Sequence, residues 1–218
     1  MLTEFAAWVR GHAWIAGPVF VAVAYLGGSV CFGLLYARRA KVDLRTIGSG
    51  NVGATNVGRA LGKGIGRKVL LLDLAKGVVP TLAAVVAFET PLFAETSYWP
   101  AWVGLACAVG HAYPIWFGFR GGKAAATSAG AMLGLAPWAG VAAIVAYLIG
   151  KKWSQRASVG SLAGSFVGLL ACVGAAWVRE LPLVAPSCAM AAGLLALVVW
   201  RHTDNIQRLW RGQEPRST

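Results

Sequence analysis

Gly48-Ser49-Gly50-Asn51-Val52-Gly53-Ala54-Thr55-Asn56-Val57-Gly58-Arg59 separates two long apolar runs. Upstream, Trp14–Tyr36 is almost wholly apolar and ends at Arg38-Arg39-Ala40-Lys41; downstream, Lys63, Arg67 and Lys68 precede a second run, Val69–Phe88. A membrane-spanning helix needs about 20 apolar residues, and both runs supply them. The stretch between them is therefore a polar loop joining two spans. Its four glycines let the backbone turn N–H groups inward as an anion-binding nest, because φ > 0 carries no Cβ penalty there. Ser49, Asn51, Thr55 and Asn56 add short hydrogen-bonding groups, and Arg59 adds a planar charge suited to phosphate.

The composition agrees with a membrane setting. Of 218 residues, 57% are hydrophobic and 13% charged, with mean hydropathy +0.62; a soluble domain carries about a quarter charged residues. The formal charge is +12. In a membrane protein such a balance marks loops beside anionic lipid, and it suits an anionic substrate better than a nucleic acid. Cys31, Cys107, Cys172 and Cys188 are scattered through apolar runs without metal-like spacing, so neither a metal site nor a disulfide framework is expected. Glu4 precedes the first basic residue, Arg10, which argues against a removable signal peptide. The length leaves room for one bundle, a single domain over 1–218.

Three further spans are expected at about Tyr98–Phe119, Val159–Val178 and Leu183–Trp200. Basic residues orient them. The first loop, then Arg120 with Lys123, then Lys151, Lys152 and Arg156, and finally Arg201, Arg208, Arg211 and Arg216 all fall on one side, whereas Arg10 and Arg179 fall on the other. The positive-inside rule makes the richer side cytoplasmic. Lys123 and Lys151 share that side, so residues 124–150 cross an even number of times, yet two full spans need about 40 residues. A pair of short helices meeting near Gly134-Leu135-Ala136-Pro137 resolves this; a single surface helix is the alternative. The expectation is an all-α polytopic membrane bundle of seven helical segments, N-terminus outside and C-terminus cytoplasmic.

Every polar cluster lies at a cytoplasmic end. Gly121-Gly122-Lys123 before a helix start resembles places where amides and a lysine hold phosphate, although it lacks the Walker A spacing. Ser158 and Ser161 open another helix, where capping and small-residue packing are competing explanations. His202 and Asn205 stand three apart and share a helix face. Asp73 and Lys76 are also three apart inside a span, where ionisable groups pair or line a polar site; a mutual ion pair supporting the first loop is expected. His111, late in the third span, reads as a hydrogen-bonded packing histidine facing the same end.

Absences narrow the chemistry. No His is followed by Asp at the fifth position, no Gly-x-Ser-x-Gly elbow occurs, and no carboxylate pair lies near the motifs. An enzyme built from these residues would act by binding and electrostatics.

Over nearly its whole length the chain resembles the PlsY family, the bacterial membrane acyl-phosphate:glycerol-3-phosphate acyltransferases. The motifs that carry the resemblance are Gly48–Asn51 through Ala54-Thr55-Asn56 to Arg59, Leu71-Leu72-Asp73-Leu74-Ala75-Lys76-Gly77, Gly110-His111, Gly121-Gly122-Lys123, Ser158 with Ser161, and Arg201-His202 with Asn205. It implies a seven-helix fold in the bacterial inner membrane, an active site facing the cytoplasm, and acyl transfer from a fatty acyl phosphate to glycerol 3-phosphate without a cofactor. Carried over, Ser49, Arg59, Lys123, His202 and Asn205 would be catalytic. Gly48, Gly50, Asn51, Gly53, Thr55, Asn56, Gly121, Gly122, Ser158 and Ser161 would bind substrate or phosphate, with Asp73, Lys76 and His111 supporting them. The chain departs from the family at Ala124, where glycine is common, and at Val52. The resemblance also implies links to the enzyme that makes acyl phosphate and to the next acyltransferase. The rival from another class is a membrane carrier for an organic phosphate, against which stands the scarcity of polar residues in the outer half.

Overall fold

The structure is a computed structural model and describes residues 2–217. Among these residues the secondary structure is entirely helical. The helices are α1 (Leu2–Gly11), α2 (Ala13–Gly28), α3 (Phe32–Arg39), α4 (Ala54–Leu61), α5 (Lys63–Phe88), α6 (Trp99–Ala112), α7 (Ala125–Leu135), α8 (Pro137–Ser154), α9 (Ala157–Val178), α10 (Pro186–Arg201) and α11 (Thr203–Trp210). Short 3₁₀ turns occupy Leu44–Thr46 and Ile115–Phe117. The chain is thus an all-helical membrane bundle. Its exterior carries exposed Leu71, Val79, Trp177 and Trp200, a surface suited to lipid and not to water.

The seven expected segments correspond to α2 with α3, then α5, α6, α7, α8, α9 and α10; α1, α4 and α11 add to them. The run Trp14–Tyr36 falls within one apolar span, Ala13–Arg39, but its helix is interrupted: α2 stops at Gly28 and α3 begins at Phe32. Two glycines and Ser29, whose hydroxyl bonds back to the Tyr25 carbonyl (2.8 Å), weaken the helix there. The break frees the Val30 carbonyl, which accepts from Lys76 Nζ (2.9 Å). The run Tyr98–Phe119 ends as a helix at Ala112, because Pro114 lacks an N–H and its ring obstructs the preceding turn. Residues 124–150 do form a helix pair, with Leu135 closing α7 and Pro137 opening α8.

Helix α7 stands at the centre, packed on α5, α6, α8, α9 and α10. Small residues make that crowding possible. A Cβ on Gly77 would strike the Thr127 carbonyl, and one on Gly130 the Leu74 carbonyl, so α5 and α7 cross backbone to backbone in the small-residue manner of membrane helices. The core beside them combines Val85, Ala108, Ala131, Met132, Leu135, Met190 and Leu194. The placement of α7 has a functional consequence: it sets Lys123, two residues before its start, at the end where α4, α9 and α11 converge.

Candidate active site

The loop before α4 is held from within. Asn56, buried in the first turn of α4, accepts the Ser49 N–H on Oδ1 (3.1 Å) and donates Nδ2 to the Leu44 carbonyl (3.1 Å). Gly48 and Gly50 take φ of +56° and +68°, the left-handed turns that let the chain reverse twice around this amide. A Cβ on Gly48 would lie 2.5 Å from Asn56 Oδ1. The loop thereby delivers Ser49 and Asn51 to a cavity, while α4 brings Thr55 and, one turn later, Arg59 to the same space.

The second motif approaches from α6. The Gly121 N–H donates to the Ala112 carbonyl (3.2 Å) and the Gly122 N–H to the His111 carbonyl (3.0 Å). Their own carbonyls accept from Arg201, Gly122 from Nε (3.1 Å) and Gly121 from an η nitrogen (3.2 Å). A Cβ on Gly122 would overlap His111 Nε2. These two glycines are therefore small to fit against His111 with their amides committed there, and they stand behind the cavity wall rather than forming an amide nest in it. Open donors come one turn later, from the first-turn N–H groups of α7, which no helical carbonyl reaches. Ala124 adopts φ +60°, so this alanine carries the left-handed strain that a glycine avoids.

The remaining groups come from α9, α11 and a returning tail. Lys123 Nζ donates to Asn205 Oδ1; Asn205 Nδ2 and Ser158 Oγ both donate to Glu214 Oε1 (2.6 and 2.7 Å). Arg208 Nε reaches Glu214 Oε2 (2.8 Å). Arg59 donates to the Arg216 carbonyl (2.7 Å). Ser161 bonds the Ala157 carbonyl of its own helix (3.0 Å) and also faces the cavity. Beneath lies the Asp73 cluster, with Lys76 Nζ 3.0 Å and His111 Nδ1 3.5 Å from Asp73 Oδ1. It is tied to α7 by the Thr127 hydroxyl on the Asp73 carbonyl (2.9 Å).

Electrostatics set the protonation states. Burial, then the Arg208 charge, lowers Lys123 to about 8. Burial, then the Lys123 charge, lowers His202 to about 4, so its imidazole is neutral at pH 7. His202 Nδ1 is bonded to the Val198 carbonyl (2.8 Å). Burial works to raise Glu214, but hydrogen bonds from Ser158, Asn205 and Arg208 outweigh it and hold the carboxyl below its usual range.

The cavity, about 260 Å³, is lined by Ser49, Asn51, Gly53, Thr55, Asn56, Arg59, Asp73, His111, Lys123, Ser158, Ser161, His202 and Asn205. Gly48, Gly50, Gly121, Gly122 and Lys76 do not line it and act one layer back. Sequence reasoning missed Glu214, Pro215, Ser217 and Ser128, which also line it; the Ser128 hydroxyl is buried without a protein partner. Ser128 lies in α7, five residues past Lys123, close enough in sequence to have been considered with it. Nothing in a polar basic tail signals that it folds back. Among the described residues no cluster of metal-ligating side chains occurs. Leu70, Leu71 and Leu74 of α5, Ile144 and Leu148 of α8, and Ala125, Ala126 and Ala129 of α7 give the same cavity an apolar lining. One cavity thus combines cationic and hydrogen-bonding side chains with an apolar lining.

Residues 18–212 match the family model described as Glycerol-3-phosphate acyltransferase. A glycerol-3-phosphate acyltransferase of Anaeromyxobacter sp. (strain Fw109-5) is 45% identical over 205 residues, 93% of this chain and 97% of the relative. That of Aquifex aeolicus (strain VF5) is 39% identical over 196 residues, 90% and 96%. Among solved structures, the glycerol 3-phosphate form of PlsY (YgiH), an integral membrane glycerol 3-phosphate acyltransferase, superposes with a TM-score of 0.83 at 38% identity, covering 92% of this chain and 95% of that one. Its lysophosphatidic acid form gives 0.81 at 37%, with the same coverage.

Proposed function

The chain belongs to the glycerol-3-phosphate acyltransferase family, and from that premise we propose that it acylates the 1-hydroxyl of sn-glycerol 3-phosphate from a fatty acyl phosphate. The products are lysophosphatidic acid and phosphate. The observation that carries this reading is the convergence of Arg59, Lys123, Ser158, His202 and Asn205, distant in sequence, on a cavity that also has an apolar lining. Both substrates bear phosphate, and two cations offset their mutual repulsion as they meet. The acyl chain lies along the apolar lining from α5 and α8, entering from the inner leaflet. Residues 1–218 act as one integral-membrane domain in the bacterial inner membrane, with this end in the cytoplasm. An upstream enzyme supplies the acyl phosphate, and a second acyltransferase consumes the product.

The hydroxyl oxygen attacks the acyl carbon directly, the carbon–oxygen bond to phosphate breaks, and phosphate leaves with the bonding pair. A mixed anhydride already has a good leaving group, so no acyl-enzyme forms on Ser49. The hydroxyl proton passes to a substrate phosphate oxygen. His202, lowered to about 4, is a weaker base than a phosphate monoester with pKa near about 6.

Purified protein given palmitoyl phosphate and glycerol 3-phosphate should release phosphate and lysophosphatidic acid in equal amounts, and Arg59→Ala should abolish both. Folded wild-type protein without turnover, but supporting glycerol 3-phosphate uptake into vesicles, would replace the transferase with the carrier reading.

A further inference from the structure

A second cavity lies outside the site described above. It measures about 690 Å³, opens to the surface, and is bordered by the last turn of α3, the segment from Lys41 to Arg45, and the turn from Trp116 to Gly118. Arg38, Lys41 and Arg45 line it against one acid, Asp43. Asp43 Oδ1 is already taken by the Arg45 backbone N–H (2.9 Å). Among the described residues the ion pairs involve Lys76, His111, Arg179 and Arg208, and none involves these three cations.

The wall opposite the cations is aromatic and anchored. The Arg38 guanidinium lies over the Phe117 ring, 4.8 Å from its centroid. The Trp116 indole N–H donates to the Leu26 carbonyl of α2 (3.1 Å). Trp116 of this wall and its chain neighbours Ile115 and Phe119 are exposed apolar side chains, as residues at a membrane interface are. A basic helix end alone is what cytoplasmic orientation requires. Here, though, cations from two segments and aromatics from a distant part of the chain close around one concavity. Charge within and apolar rim outside suit a ligand that is itself half charged and half apolar.

We propose that this cavity binds the phosphate headgroup of an anionic phospholipid, held by Arg38, Lys41 and Arg45, with the acyl chains lying over Ile115, Trp116 and Phe119. Guanidinium groups match phosphate geometry, and basic hollows at the cytoplasmic face of membrane helices suit such headgroups. The site adjoins the first loop of the catalytic cavity, because Leu44, one of its lining residues, accepts from Asn56 at its carbonyl (3.1 Å).

The test uses the full chain in phosphatidylcholine nanodiscs, titrated with phosphatidic acid carrying brominated chains. Tryptophan quenching is read in wild type and in Trp116→Phe, so that the difference reports the rim. Saturable quenching of Trp116 is expected, with apparent affinity lowered about tenfold or more in Arg38→Gln/Lys41→Gln. A matched loss of charge from exposed α5 positions, Lys63→Gln/Lys68→Gln, should change it less than about twofold. Lys41→Gln alone, expected to weaken binding about threefold or more, serves should the double variant fail to fold. Equal weakening by both double variants would reduce the effect to general surface charge and overturn the proposal. Displacement of the lipid by millimolar inorganic phosphate would assign the cavity to a free anion and overturn the lipid assignment.

Discussion

Lys123 is half-buried within the field of Arg208 and titrates at about 8, so it is a cation at pH 7 and loses that charge as the pH rises past 8. Should this charge hold substrate phosphate, KM for glycerol 3-phosphate rises about tenfold per pH unit above about 8, with a smaller change in kcat. Lys123→Arg, charged at every accessible pH, should remove that limb. A flat wild-type profile to pH 9.5 would take Lys123 out of the grip. His202 makes the opposite kind of statement. Its folded value of about 4 lies below the ordinary 6.5, so the unfolded chain takes up the proton first as pH falls. Stability is complete above about 6.5 and declines by roughly 3 kcal/mol on the way down to about 4, below which it levels. Unfolding in detergent across that window, compared with His202→Gln, should show the steeper decline in wild type.

At the scale of helices, the crossing of α5 and α7 sets the position of everything above it. Because a Cβ on Gly130 would meet the Leu74 carbonyl, Gly130→Leu must push the two helices apart. It should cost about 3 kcal/mol or more, read as a fall in unfolding midpoint. Activity should fall with it, since Asp73 and Thr127 meet across this contact. The apolar spans and the helix pair over residues 124–150 were legible from hydropathy, basic residues and Pro137. The division of Trp14–Tyr36 was not, because hydropathy is blind to a break whose freed carbonyl finds a partner, Lys76, 46 residues away. Nor did composition separate the two uses of glycine. Gly48 and Gly50 serve turns, whereas Gly121 and Gly122 serve close approach to His111 and Pro114.

Across the whole molecule, the tail closes the site. Glu214 gathers Ser158 of α9 and Asn205 and Arg208 of α11, and Arg216 takes Arg59 of α4. Glu214→Ala leaves buried donors without an acceptor and should cost about 3 kcal/mol, with Glu214→Gln retaining part of it, measured by thermal unfolding. The membrane class, the main apolar segments and the residue types able to grip phosphate follow from local pattern, because burial in lipid and phosphate chemistry each demand particular side chains in particular runs. Which of those residues face one another was decided by packing alone. Glycine contacts set how closely α5 and α7 approach, a neutral imidazole arises from burial beside Lys123, and Glu214 enters the cavity only because the chain turns back after α11. Such facts belong to pairs of residues far apart in sequence, and no local run of side chains encodes them.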